Sequence, residues 1–405
     1  MPSAEKKPYY SPFDTSFVDN PFPTYAELRA YGPIYKDDNL DFYVASRFED
    51  VKQIARDTTN FSSAQGIFIM KDADGNMVKD SSTPTPRMIE MDPPNHSQFR
   101  SLISKAFNTK QMAALEPIVQ SISKELIDGL AGRDEIDFNR EYGNILPVTV
   151  ICDMLGCEQK HRAVFKEAAD VLVYAFNKSH EEQLAARQAL ADLLQDQIEL
   201  RKRQPDQGLI TALLNATMDG QSLSADELTG FVSLLMTAGT ETTTNLVSNS
   251  LAYMHHHPEV KQRLIADPSK IAGAVDEFLR LESPVQGLSR TVVNEVTING
   301  HTFQPGSKVL LLFAAANRDA SAYENPEVFD ETRPGKKHLA LGHGIHLCLG
   351  AHLARMEAIV ALTDILKRIP DYELHLDRAV RHPVVMIRGY EQLPATIKTP
   401  ITKIA

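Results

Sequence analysis

One stretch, LSADELTGFVSLLMTAGTETTTNLVSNSLAYMHHHP (residues 223–258), constrains the fold more than any other part of the chain. Ser224 followed three residues later by Glu227 is a capping box, in which each side chain satisfies an orphan N–H of a helix start. No proline intervenes before Pro258, so the spacing predicts one helix of about 30 residues, roughly 45 Å long. A rod of that length must cross the core. Its middle is unusual, because Ala238-Gly239-Thr240-Glu241-Thr242 places a glycine and a threonine run where both weaken a helix without evident packing benefit. Hydroxyls bonding back to carbonyls one turn earlier would bend it there.

Apolar residues at three- and four-residue spacing predict further helices near 93–107, 111–131, 159–176, 181–203, 270–282 and 349–368. Alternating stretches such as DFYVASR in the first 90 residues point to a small sheet, and RTVVNEVTINGHTFQPGSKVLLL to another β-rich region, with Asn299-Gly300 as a hairpin turn. The expected architecture is mainly α with a smaller sheet region, an α+β fold over 1–405 in one domain whose β-richer part is about 1–90. With 43% hydrophobic and 23% charged residues, the chain has a globular composition. A formal net charge of -11 argues against a nucleic-acid binder, which needs a basic stripe. The N-terminus has no apolar leader core and no apolar run is long enough to span a bilayer, so a cytoplasmic protein without a membrane segment is expected.

LALGHGIHLCLGAHLA (339–354) holds one of only three cysteines. Gly342, Gly344 and Gly350 permit positive φ or close backbone approach, which would let a flat bulky ligand lie against the loop. A helix starting near Gly350 aims its N-terminus at Cys348, which predicts a lowered thiol pKa and makes Cys348 a metal-ligand candidate. Neither CxxC nor HExxH spacing accompanies His343, His346 and His352, which disfavours zinc. His255, His256 and His257 suit a helix C-terminus. Cys152 and Cys157 are expected to be buried thiols.

Two pairs add to this. Glu277 and Arg280 lie three apart on one helical face, where they can form an ion pair or a solvated surface. His96 and Arg100, four apart after Asp92-Pro93-Pro94, present two cationic donors suited to a carboxylate or phosphate.

The run LGHGIHLCLG (341–350) closely resembles the haem-binding signature of the cytochrome P-450 monooxygenases. The resemblance extends to the Glu277/Arg280 ExxR element, to AANRD ending at Asp319 and to ENPEVFDETR (324–333), and it covers the chain from about residue 20 onward. It implies haem b as cofactor with Cys348 as axial iron ligand, and Ala238, Gly239 and Gly350 at the haem. His96, Arg100, Arg290 and His346 would hold the propionates. Glu277, Arg280 and Arg333 would form a structural ion network behind the cysteine loop. Glu241 and Thr242 correspond to the acid–alcohol pair that opens a groove for dioxygen and relays protons to it. By family position the substrate pocket draws on 66–70, Val173 to Phe176, Leu234, Leu235, Ala238, Val285, Leu288, Met386 and Ile387. One departure is Leu341, where the family usually has phenylalanine.

The activity so implied is insertion of one oxygen atom from dioxygen, by hydroxylation or epoxidation, into a small-to-medium hydrophobic molecule. Because no GxGxxG dinucleotide motif is present, electrons from NAD(P)H are expected through a separate ferredoxin or flavodoxin and its reductase, with the chain itself a monomer. Lys336, Lys337 and His338, with Arg100 and Lys105, could form a basic docking patch or an ordinary solvated charge run. Two rivals remain on the same residues: a peroxide-driven peroxygenase, and a non-enzymatic haem-binding or gas-sensing protein.

Overall fold

The structure, a computed structural model, describes every residue except 1–6, 38–39, 73, 79–86, 105–106, 108, 158–160, 162, 165–166, 168–178, 207, 219–220, 334–337 and 402–405. The long helix spans Ala225–His256, 32 residues and roughly 48 Å. Its capping box is formed: Glu227 N–H donates to Ser224 Oγ (3.1 Å) and Ser224 N–H to Glu227 Oε2 (2.9 Å). It ends where Pro258 opens the helix Pro258–Ala266, and the ring of His257 stacks on Tyr253. From Thr243 to Ala252 every residue is buried. Ser250 donates to Leu246 O (2.7 Å) and Thr244 to Gly143 O (2.8 Å), whereas both polar atoms of the buried Asn245 amide lack a hydrogen-bond partner among the described residues.

Around this rod pack Asn95–Ser104, Thr109–Gly129, Ile145–Leu155, His180–Arg203, Ile271–Leu281 and Ala351–Arg368. Most coincide with the periodic segments. The predicted helix near 159–176 falls largely outside the described residues. Ile145–Leu155 was not anticipated by periodicity, because ILPVTVICDML is apolar on nearly all faces and buried from Leu146 to Cys152. That helix packs on the long one, and Ala351–Arg368 packs on Thr109–Gly129 and the long helix. Cys152 and Cys157 are buried free thiols, with burial pushing Cys157 up to about 12.

The main sheet has five strands in the order Ile34–Asp37, Phe42–Ala45, Lys308–Leu311, Leu288–Val292, Phe61–Ser62. Its one parallel pairing joins an early strand to a late one, with Phe42 opposite Lys308 and Ala45 opposite Leu311. Asn299 (φ 50°) and Gly300 (φ 80°) turn the hairpin between Val296–Ile298 and His301–Phe303, as their sequence predicts. Near the C-terminus, Tyr372–Leu374 and Pro394–Ile397 form a second sheet with Glu135–Asp137. The result is the expected helix-rich α+β fold with several small sheets. Among the described residues no helix is long and apolar enough to cross a membrane.

Candidate functional site

Cys348 sits half-buried just before the helix Ala351–Arg368, its N–H donating to Leu341 O (2.8 Å). Gly342 (φ 75°) and Gly344 (φ 69°) adopt the left-handed backbone that glycine favours. The glycines do not simply clear space for a ligand. A Cβ on Gly344 would lie 2.9 Å from Ala55 O, so this glycine lets the loop close against the helix Phe48–Arg56, whereas a Cβ on Gly350 would meet nothing. The expectation of a lowered thiol pKa is also reversed. Burial pushes the Cys348 thiol up, and the opposing pulls of the Gly350 N–H, Arg100 and Arg355 do not overcome it. A bound metal cation would favour the thiolate.

The loop is braced from behind. Arg280 donates from Nε (2.8 Å) and Nη2 (2.7 Å) to both carboxylate oxygens of Glu277, and Arg333 Nε adds a third bond to Glu277 Oε1 (3.1 Å). Both Glu277 and Arg280 are 3% exposed or less, which rules out the solvated-surface alternative. From this pair the connection runs forward: Arg280 Nη1 donates to Asn317 O (2.9 Å), and Asn317 Oδ1 accepts from the N–H of Leu339 (2.7 Å), the first residue of the loop stretch. Asp276 clamps the other flank, its Oδ1 lying 3.2 Å from His338 Nε2 and accepting from Arg355 Nε (2.7 Å). Asp276, Asn317 and Arg355 were not singled out in the sequence. Asp276 adjoins the ExxR pair and Asn317 lies within AANRD, so their positions held the only signal.

This clamp corrects one expectation. With a side chain only 3% exposed, His338 is not part of an exposed basic patch, and Arg100 spends Nη1 on Ile345 O (3.0 Å). Lys105, Lys336 and Lys337 lie outside the described residues.

His96, Arg100, Arg290 and His346 are brought together. The rings of His96 and His346 lie 4.4 Å apart, and burial together with the Arg290, His96 and Arg100 charges drives the His346 pKa down to about 2. Burial also lowers Arg290 to about 10, with Asp92 pulling the other way, and lowers His96, whose nitrogens are both buried without a hydrogen-bond partner. Ser63 Oγ lies 3.1 Å from His346 Nε2. Two guanidiniums, whose charges help hold both imidazoles neutral, and an orphaned imidazole beside them form a site for an anion.

On the long helix, Ala238 is exposed and Thr242 half-exposed, one turn apart, although the rod is buried beyond them. Leu234 and Leu235 continue the same stripe one turn earlier, and they and Leu349 of the cysteine loop pack against a cluster that includes Phe99, Ile103 and Phe231. Thr242 Oγ1 donates back to Ala238 O (2.6 Å), as Thr240 does to Met236 O (2.7 Å). Gly239 has a packing role that its sequence did not reveal, since a Cβ there would meet Ile151 Cδ1 at 2.7 Å. Glu241 is buried, its Oε2 4.0 Å from Nε2 of His382, a residue that sequence reasoning missed.

The other pocket segments converge. Val285 forms a β-bridge with Ile387, Gln286 N–H donates to Met386 O (2.9 Å), and Ser289 N–H donates to Ile67 O (2.7 Å). Val285, Leu288 and Ile387 are half-buried, whereas Met386 is packed into a core cluster with Tyr25, Phe42 and Leu310 and is a supporting residue instead of an open wall. Val173 to Phe176 lie outside the described residues.

A half-buried cysteine beside an anion cradle, with Ala238 and Thr242 exposed midway along the long helix, suits a flat metallocofactor bearing carboxylates. Comparison with known proteins gives it a family. A profile described as "Cytochrome P450" matches residues 148–388. The chain belongs to the cytochrome P450 family and is a haem monooxygenase. It is 37% identical over 391 residues to the vitamin D(3) 25-hydroxylase of Pseudonocardia autotrophica, with 95% of this chain and 96% of that protein covered. Its fold matches cytochrome P450 CYP109Q5 from Chondromyces apiculatus with TM-score 0.88 and 32% identity, covering 98% and 100% of the two chains. CYP109E1 from Bacillus megaterium in complex with testosterone matches with TM-score 0.84 and 31% identity, over 94% of this chain and 100% of that one.

The residues fit haem. Its two propionates have the charge that the orphaned His96 and its cationic neighbours call for, and Cys348 is the soft donor that iron takes.

Proposed function

We propose that the protein oxygenates a small-to-medium hydrophobic substrate with dioxygen and two electrons supplied from outside the chain. The observation that carries this reading is the exposure of Ala238 and Thr242 midway along the long helix, next to Leu234 and Leu235, which pack against the same cluster as Leu349 of the cysteine loop. Bound haem supplies dioxygen activation. Cys348 would hold its iron, and His96, Arg100, Arg290 and His346 its propionates. Thr242, its hydroxyl bonded back to the Ala238 carbonyl, would hold a proton at this exposed stretch of the helix, with the adjacent Glu241 as the acid that replenishes it. A peroxygenase or a haem carrier has less use for this pair.

Leu234, Leu235, Val285, Leu288 and Ile387 would exclude water and orient the substrate by shape. The vitamin D(3) hydroxylase and the testosterone complex among the similar proteins make steroid-like polycycles the first compounds to try. Electrons would come from NAD(P)H through a ferredoxin or flavodoxin and its reductase. The test is direct. The reduced protein under carbon monoxide should show the long-wavelength Soret band of thiolate ligation, and a ligand panel led by testosterone should include compounds that shift the haem to high spin and are oxygenated when reductase and ferredoxin are supplied. A haem protein without ligand-stimulated NAD(P)H consumption would return the reading to a carrier or sensor, and full activity with peroxide alone would return it to a peroxygenase.

A further inference from the structure

His382 stands between two carboxylates. Its Nε2 lies 4.0 Å from Glu241 Oε2, and its Nδ1 lies 3.7 Å from Glu391 Oε1. The imidazole is 3% exposed and Glu241 6%, whereas Glu391 is 41% exposed. The three residues therefore form a line from solvent to the acid beside Thr242. Local structure explains how Glu391 comes to face the ring. In the ribbon of Val380–Arg381 and Tyr390–Gln392, Val380 pairs with Gln392 and Arg381 with Tyr390, which leaves Glu391 without an opposite residue. A bulge of this kind re-aims a side chain. His382 continues from the ribbon, its N–H donating to Gly389 O (3.3 Å).

We propose that Glu391 and His382 form the proton inlet of this enzyme, passing protons from solvent to Glu241. The proposal rests on Glu241 being the acid that serves Thr242. A proton taken at Nδ1 from Glu391 and one released from Nε2 to the Glu241 carboxylate moves one proton inward and leaves the ring neutral. The ring is left with its proton on Nδ1; exchange of that proton for one at Nε2 through water resets the tautomer, and Glu391 is reprotonated by solvent. Both gaps exceed hydrogen-bond length, so each transfer requires the glutamate to approach the ring or a bridging water. Burial, opposed by the Tyr390 carbonyl and aided by the neighbouring Arg381 charge, pulls the His382 pKa down to about 3. A neutral ring has one N–H and one lone pair, as a relay requires.

Three variants test this: His382→Gln, Glu391→Gln and Glu241→Gln. With testosterone as probe and a surrogate ferredoxin and reductase, the readouts are the fraction of consumed dioxygen released as peroxide and the solvent isotope effect on dioxygen consumption. His382→Gln should raise peroxide release relative to fully reduced oxygen by about tenfold, below the roughly hundredfold typical for a group at the reacting atoms. Glu391→Gln, at a half-exposed site, should act in the same direction, and both should enlarge the isotope effect. Nitrogen-15 NMR of the histidines gives a readout independent of turnover. The resonance that disappears in His382→Gln should change its tautomer balance in both Glu241→Gln and Glu391→Gln. If Glu241→Gln uncouples the enzyme while the other two variants match the parent, the inlet is overturned and the acid stands. If Glu241→Gln also matches the parent, both fall.

Discussion

The two faces that border the site are built by opposite means. The cysteine loop is fixed by charge and directional bonds: Glu277, Arg280 and Arg333 behind it, Asn317 at its first N–H and Asp276 on its flank. The stripe on the long helix is fixed by the rod that carries it and leaves its surface open at Ala238 and Thr242, with hydroxyls turned back on their own helix. A metal ligand must hold one position, whereas a face that meets substrate and dioxygen needs room and a movable proton. The division of labour follows from that difference.

It can be broken from either side. Cys348→Ser should have the largest effect on function, abolishing the thiolate Soret band of the reduced carbon-monoxide complex along with oxygenation; retention of that band would mean that another residue binds iron. Arg280→Ala leaves Glu277 buried without its bidentate partner and should destabilise the fold by about 3–5 kcal/mol, seen as loss of haem during purification or a large fall in Tm. Asn317→Ala leaves the Leu339 N–H unmet and should cost about 1–3 kcal/mol. A Tm equal to that of the parent would show that the loop does not depend on this brace. On the helix side, Thr242→Ala should leave haem binding and Tm near the parent values while diverting reductant into peroxide; unchanged coupling would remove Thr242 from proton delivery. Gly239→Ala should be the mildest, within about 1 kcal/mol, because the gain in helix propensity offsets the displacement of the Ile151 methyl.

The same contrast explains what the sequence made legible. Features carried by short spacing, such as the capping box, the Glu277/Arg280 pair and the Asn299-Gly300 turn, could be read directly. The helix Ile145–Leu155 was hidden because burial on nearly all sides erases the period that marks a helix. Gly239 looked like a weakness until Ile151, remote in sequence, was found against it. His338 read as part of a basic run because nothing local marks Asp276 as its partner, 62 residues away. His382 was unreadable for a similar reason, since Glu241 meets it only in the folded chain. The net sign at the Cys348 thiol depended on how deeply the loop is enclosed, which helix-terminus reasoning does not supply.

The parallel pairing of Phe42–Ala45 with Lys308–Leu311 has a consequence in time. At about 5–20 residues per second, on the order of ten seconds or more of synthesis separates the two strands. Through that interval the early segment has one edge waiting for a partner that does not yet exist, and a chaperone or a ribosome-bound stage that shields this edge would govern how much enzyme the cell recovers.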